Sequence, residues 1–400
     1  MSRYFTKTLA SLEPYTPGEQ LKIADIVKLN ANENPYPPAP GVAAAVEAAV
    51  PGLRLYSDLS NRALNEAIAA HWGVQPENIL CGNGSDENLL LALRAFCDEN
   101  TPLAFADVTY SFYPVLCDLL HIPQHVIPLE DDLTIDLKKY CGLHETIVIA
   151  NPNAPTSLLA PVAAIEEVLR TNPDNIVVVD ETYVEFAPAG SSCLPLLEKY
   201  ENLVITHTFS KTHNLAGARL GYCIARPGLI TDMNRVKFGY SPYNVNSMTQ
   251  AAGVAAMLHD IAKPLSLPEM QKKAQEYDMR LPKDIYADEN LLHGPLAAAI
   301  AEHELGVTDA EILSAIACHT TGKPDMTVLE QVIYLADAIE PNRRDYPGLA
   351  QIRALAQTNL SAAVLLSMRR TREYVLSQGH AFCPQTELAM QSLAAKEETK

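Results

Sequence analysis

No run of apolar residues in the sequence is long enough to cross a membrane, and the opening MSRYFTKTLASLEP carries no apolar signal region. Positive charge is scarce as well: 30 basic residues stand against 48 acidic ones, a formal net charge of -18. Phosphate backbones bind through positive patches, so that balance argues against a general nucleic-acid binder. It leaves open a small phosphorylated substrate, which needs only a few local cations. The eight cysteines include no CxxC pair, which fits free thiols in a reducing compartment better than disulfides or a zinc ribbon. No internal repeat is present. These absences together predict a soluble cytoplasmic protein with small-molecule partners and neither nucleic acid nor membrane among them.

At 400 residues, 48% of them hydrophobic, the chain is long enough for two or three domains with sizeable cores. Up to about residue 240 it alternates helix and strand. GVAAAVEAAV (41–50) and SNRALNEAIAAHWG (60–73) have helical spacing. TIVIA (146–150), NIVVVD (175–180) and NLVIT (202–206) are short β-branched runs ending in polar residues, as buried parallel strands do. Such folds keep their sites at the C-terminal ends of those strands. From about residue 245 the strand pattern gives way to helical periods, as in GPLAAAIAEHEL and TVLEQVIYLADAI. The stretch 264–284, polar and proline-containing, reads as an interruption between helices. The fold class changes from α/β with a mostly parallel sheet to all-α near residue 250.

Three polar features stand at strand ends. GNGSDENLL (82–90) is a glycine-rich turn opening a helix at Ser85 and Asp86; it is either an anion site of exposed N–H groups or an ordinary capped helix. In VVVDETYVEF (177–186), Asp180 ends an apolar strand. It is placed either to pair with a protonated ring nitrogen, with Tyr183 reaching a phenolic oxygen, or to cap the next turn. In THTFSKTHNLAGARLGY (206–222), Lys211 is a candidate Schiff-base amine in a Ser-Lys-Thr turn, and Arg219, eight residues on, is a candidate phosphate ligand. A lone lysine is ordinarily a solvated one; the three features in this order favour a cofactor pocket.

With those motifs, and with LNANENPYPP (29–38), TYSFY (109–113) and NPNAPTS (151–157), residues 1–255 resemble the histidinol-phosphate aminotransferases, a branch of the fold-type I pyridoxal-phosphate transaminases. The resemblance implies that Lys211 binds pyridoxal 5'-phosphate and that Asp180 holds its ring nitrogen, making the ring an electron sink. It assigns Tyr183 to the phenolic oxygen and Tyr110 to stacking on the ring. Ser85, Asp86, Ser210 and Arg219 take the phosphate. Tyr56, in LRLYSD, is similar to the tyrosine that reaches the partner's site in a homodimer. Where the family has a second asparagine before Pro-Thr, this chain has Ala154, which leaves Asn153 as the nearest substitute. The family continues as a small α/β domain bearing arginines for the substrate carboxylate, and that continuation is not recognisable past NVNSMTQAAGVAAM.

Residues 256–395 hold a second set of candidates: the His259-Asp260 pair in MLHDIAK, His293 in LLHGP, His319 in ACHTTGKP and Asp337 in YLADAIEP. Imidazoles with carboxylates suit iron, manganese or similar ions, the alternative being separate, locally satisfied side chains. This part resembles the HD phosphohydrolase superfamily, most closely its symmetrical dinucleoside-tetraphosphate hydrolases. The resemblance implies a divalent metal pair, iron favoured and manganese possible, held by His259, Asp260, His293, His319 and Asp337 to activate water against a phosphoanhydride. It places Lys263, Arg343 and Arg344 near phosphate. The helices that should precede the His-Asp pair, with a further histidine ligand, are replaced by the aminotransferase-like part. The combined expectation is a transaminase of histidine biosynthesis joined to an HD hydrolase. Its rivals are hydrolysis of a dinucleoside polyphosphate as the main activity, and a chimera without turnover.

Overall fold

Two amphipathic helices, α1 (Gly41–Ala49) and α2 (Arg62–Trp72), precede the first strand, at the positions the helical spacing predicts. The computed structural model describes residues 2–6, 9, 12–16, 28, 30–35, 38–39, 41–258, 265–303, 310–339, 346–356 and 358–398. Seven strands then form one sheet: β1 (Ile79–Gly82), β2 (Leu103–Ala106), β3 (Gln124–Ile127), β4 (Thr146–Ala150), β5 (Val177–Asp180), β6 (Leu203–Thr208) and β7 (Gly221–Ala225). Every position of β4, β5 and β6 is buried. A strand covered on both faces needs a continuous apolar run rather than alternation, which is why these three are visible in the sequence.

The strand order is β1-β7-β6-β5-β4-β2-β3. The pairs from β6 through β3 are parallel, and β7 runs antiparallel to both β1 and β6. Parallel neighbours require crossovers, and helices α4 (Phe112–Leu120) and α5 (Val162–Thr171) serve in those from β2 to β3 and from β4 to β5; α3 (Ser85–Phe96) links β1 to β2 across the sheet, and α6 (Pro227–Tyr240) follows β7. Leu89 and Leu93 of α3, Tyr113 and Leu116 of α4 and Met233 of α6 bury one face of the sheet against Val148, Val178 and Val204. The register sets Ala150 beside Asp180 and Asp180 beside Thr206, so the carboxyl ends of the central strands form one edge.

After α7 (Ser247–Leu258) the described residues contain helices and no strand. These are α8 (Leu267–Glu276), α9 (Lys283–Tyr286), α10 (Glu289–His303), α11 (Ala310–Cys318), α12 (Val328–Ala338), α13 (Leu349–Ala356), α14 (Leu360–Ser377) and α15 (Pro384–Glu398). The stretch 264–284, expected to interrupt the helices, instead contains α8. Ser266 and Glu269 form a reciprocal capping box at its start, and a proline is tolerated in a first turn whose N–H groups lack helical partners anyway. Among the described residues no helix is long and apolar enough to cross a membrane.

The chain divides into two compact units. One gathers the described residues of 1–35, 56–65 and 73–249 and contains the sheet; the other gathers those of 36–55, 66–72 and 250–400. The helical unit has its own core, in which Tyr334, Leu335, Ile352, Val364, Met368 and Leu393 pack together.

Candidate active site

The glycine-rich turn after β1 brings the start of α3 against β7. Gly84 adopts φ 83° and ψ 167°, a conformation open in practice to glycine alone. A Cβ on Gly221 would lie 2.4 Å from the Ser85 nitrogen and 2.6 Å from the Gly84 carbonyl carbon. Only a bare backbone at both positions permits this approach. Arg219, itself at φ 53°, faces the turn: a Cβ on Gly84 would lie 2.6 Å from its Nη2. Its Nη2 donates to Asp86 Oδ2 at 3.0 Å, and the Tyr110 hydroxyl donates to Asp86 Oδ1 at 2.9 Å. A guanidinium beside the free N–H groups of a helix start is an anion cradle.

Asp180 ends β5 with its carboxylate buried. Oδ2 accepts from the Tyr113 hydroxyl at 2.9 Å, and Oδ1 accepts from Thr182 Oγ1 at 2.6 Å and the Thr182 nitrogen at 3.2 Å. Burial pushes the carboxyl above its ordinary range, and those bonds oppose the shift. Tyr183 accepts from Asn32 Nδ2 at 3.0 Å; burial raises its phenol and the Asn32 bond counters it.

Lys211 follows β6 in the Ser-Lys-Thr turn, its Nζ donating to the Ala31 carbonyl at 2.8 Å. Burial pushes its ammonium below the ordinary value; Glu33 and Asp86 oppose that, and Arg219 adds to it. A desolvated amine beside another cation is the setting in which lysine becomes a nucleophile. Ser210 is buried, its nitrogen donating to Thr208 Oγ1 at 3.1 Å.

Electrostatic interactions run from Lys211 to Asp86 and Arg219, from Asp86 to Tyr110, from Tyr110 to Asp180 and from Asp180 to Tyr183, so residues 133 positions apart meet in one cluster. Asn153 stands differently. Its Nδ2 donates to the Val108 carbonyl at 3.0 Å and to Thr156 Oγ1 at 3.1 Å, and its Oδ1 accepts from Thr109 at 2.7 Å. Both amide hydrogens are therefore engaged in tying two loops together. Tyr56 is 82% exposed and stacks on Tyr243 with centroids 4.4 Å apart. Tyr113 and Asn32 join the site without a signal of their own in the sequence. Both lie inside quoted motifs, and Tyr113 stands one helical turn beyond Tyr110.

Of the five expected metal ligands, His259 and Asp260 lie outside the described residues, as do Lys263, Arg343 and Arg344. His293 and His319 meet in the helical unit, their Nε2 atoms 3.0 Å apart. His293 Nδ1 is 3.1 Å from the Glu289 carbonyl and His319 Nδ1 is 2.7 Å from the Ile316 carbonyl. Asp337, half-buried on α12, does not complete a set with them: among the described residues no group of three or more His, Cys, Asp or Glu is placed to hold a metal.

Comparison with known proteins identifies the sheet-bearing part. The family Aminotransferase class I and II matches residues 24–295. Histidinol-phosphate aminotransferase 2 of Dechloromonas aromatica is 43% identical over 262 residues, 64% of this chain and 73% of that protein. Histidinol-phosphate aminotransferase 2 of Gluconobacter oxydans is 44% identical over 258 residues, 64% of this chain and 72% of that one. The crystal structure of histidinol-phosphate aminotransferase from Sinorhizobium meliloti, determined in complex with pyridoxal-5'-phosphate, superposes with a TM-score of 0.58 over 84% of this chain and 98% of that one. At 22% identity it speaks to the fold alone. The chain belongs to the class I and II aminotransferases.

Proposed function

We propose that the chain binds pyridoxal phosphate and transfers the amino group of histidinol phosphate to 2-oxoglutarate. The observation that carries this reading is the clustering of a half-buried amine at Lys211, a buried carboxylate at Asp180 and an arginine-lined glycine turn. The cradle fits a phosphate: Gly84 and Gly221 leave bare backbone where a Cβ would collide. When bound, pyridoxal phosphate supplies an aldehyde and an electron-withdrawing ring.

In this reading Arg219, Ser210 and the N–H groups of Ser85 and Asp86 hold the phosphate, while Asp180 faces the ring nitrogen. Tyr183 serves the phenolic oxygen, with Asn153 a lesser contributor because its amide is engaged elsewhere. Tyr110 covers the ring. Lys211 Nζ holds the cofactor and then moves the proton at the substrate carbon that bears nitrogen. Tyr56, exposed on this chain, serves a partner subunit in a homodimer. Turnover is expected to be slow. The matched region leaves over a quarter of the relatives' length uncovered, and orientation of the substrate accounts for much of any rate enhancement. Glutamate release from histidinol phosphate and 2-oxoglutarate tests the assignment. Formation that depends on Lys211 supports it, and formation undiminished in Lys211→Ala refutes it.

A second reading concerns residues 256–395, as an HD-type phosphohydrolase acting on a dinucleoside polyphosphate; the aminotransferase part then occupies 1–255. The family match runs on to residue 295, so the two readings overlap across 256–295. One observation favours the second reading. With each Nδ1 of His293 and His319 turned to a backbone carbonyl, the two Nε2 atoms face each other at 3.0 Å, a spacing that suits two imidazole ligands on one ion. That arrangement is favourable with a proton or a metal cation between the rings. Manganese or ferrous iron should bind to the purified protein and be lost in His319→Ala; equal metal content in both proteins would refute the site.

A further inference from the structure

Tyr113 is completely buried on α4, within an otherwise apolar core. Its hydroxyl donates to Asp180 Oδ2 at 2.9 Å. Its ring meets the Tyr110 ring edge to face, with centroids 5.6 Å apart and planes at 89°, and leans on Phe105 at 6.2 Å. One rigid side chain therefore touches both the residue assigned to cover the cofactor ring and the carboxylate assigned to its nitrogen. A tyrosine whose only task is to fill a core would place a phenolic oxygen there at a cost. This one recovers that cost through a charge-assisted bond, stronger than a neutral one.

We propose that Tyr113 is a positioning residue, holding the Asp180 carboxylate as an oriented anion aimed at the cofactor's ring nitrogen while its ring sets the tilt of Tyr110. The inference rests on the cofactor reading above. Thr182 donates to the other oxygen of Asp180, and the Thr206 hydroxyl also favours its charged form, so removal of Tyr113's hydroxyl takes away the Oδ2 bond while those donors remain. The titratable groups facing the carboxylate are Tyr110, Tyr113, Tyr183, Glu181 and Cys223. Of these, Tyr113 is the one whose hydroxyl donates to Asp180. Burial and the neighbouring Asp180 charge push the Tyr113 phenol well above its ordinary range, which keeps it a donor at any working pH. Asp180 is already raised by burial, and losing a donor to its charged form raises it further. The anion then forms only at higher pH.

The test uses the full chain stripped of cofactor, titrated with pyridoxal phosphate from pH 6 to pH 9 and followed by visible absorbance. Tyr113→Phe keeps the ring and removes the hydroxyl. Its affinity should fall roughly tenfold at neutral pH, and its acid-side loss of binding should begin about one pH unit higher, as expected for one hydrogen bond to a charged group. In an Asp180→Asn background the same substitution should change affinity by less than about twofold, because the charge it serves is gone. If Asp180→Asn binds too weakly to titrate, the pH profile of Tyr113→Phe alone decides. Unchanged affinity and pH profile in Tyr113→Phe, or an equal loss in both backgrounds, overturns the inference and leaves the cofactor reading standing. A wild type that binds no pyridoxal phosphate overturns both.

Discussion

Gly221 and Glu181 show how single positions constrain the site. At Gly221 the obstructing atoms are backbone on three sides, the Ser85 nitrogen, the Gly84 carbon and the His207 oxygen, and none can rotate away. Gly221→Ala should cost about 2 kcal/mol or more in denaturant unfolding, by the overpacking rule. A variant as stable as wild type would mean that α3 does not rest on β7 as described. Glu181, next to Asp180, accepts from Ser192 Oγ at 2.7 Å and the Cys193 nitrogen at 2.6 Å. Burial outweighs those bonds and pushes its carboxyl from 4.5 up to about 7. A folded value above the unfolded one means that the native state holds the extra proton. That stability is complete below the unfolded value and is lost as pH rises from about 4.5 to about 7. Wild-type melting temperature should therefore fall across this window more steeply than that of Glu181→Gln, which cannot titrate; parallel curves would contradict the shift. The residue types of the proposed site are legible in the sequence: an amine in a polar turn, a carboxylate at a strand end and an arginine in a Gly-Ala-Arg turn all stand out. Tyr113 was not, because a tyrosine in an apolar helix has the same signature whether it packs or donates.

Elements were legible in proportion to how far their sequence had to differ from its surroundings. β4, β5 and β6 are central and buried on both faces, so their apolar runs are unbroken. β3, at the end of the strand order, is mostly uncovered, and its Gln124–Ile127 shows no such run. β7 is hidden differently: it follows the glycine- and alanine-rich turn carrying Arg219 and reads as part of it. α8 is hidden because three prolines and many charges in 264–284 outweigh the Ser266-x-x-Glu269 signal. Since that box satisfies the first turn, Ser266→Ala should lower stability by about 1 kcal/mol. Thr327 and Glu330 repeat the box at the start of α12, where Glu330 is also ion-paired to Lys323 at 2.6 Å and takes the Ser314 hydroxyl. Glu330→Ala should cost more than Ser266→Ala, because it leaves three donors without their acceptor. Equal losses would show that only the cap matters.

At the scale of the whole molecule, the chain carries an aminotransferase sheet and pocket in one unit and a histidine pair in another. The change of class near residue 250 was visible because helical periods replace β-branched runs there. The proposed metal set was less legible. Ligands spread from 259 to 337 come together only through the packing of helices, and the described residues join two of the five. A homodimer is expected in solution from the assignment of Tyr56; light scattering at micromolar concentration that gives a monomer mass would contradict it. Everything proposed for the sheet-bearing unit depends on Lys211 being the cofactor-binding amine. Incubating the protein with pyridoxal phosphate, reducing with borohydride and mapping the peptides by mass tests it most directly. The pyridoxyl mass should appear on the peptide containing Lys211 and be lost in Lys211→Ala. An unlabelled protein, or label on another lysine with Lys211 untouched, would contradict it.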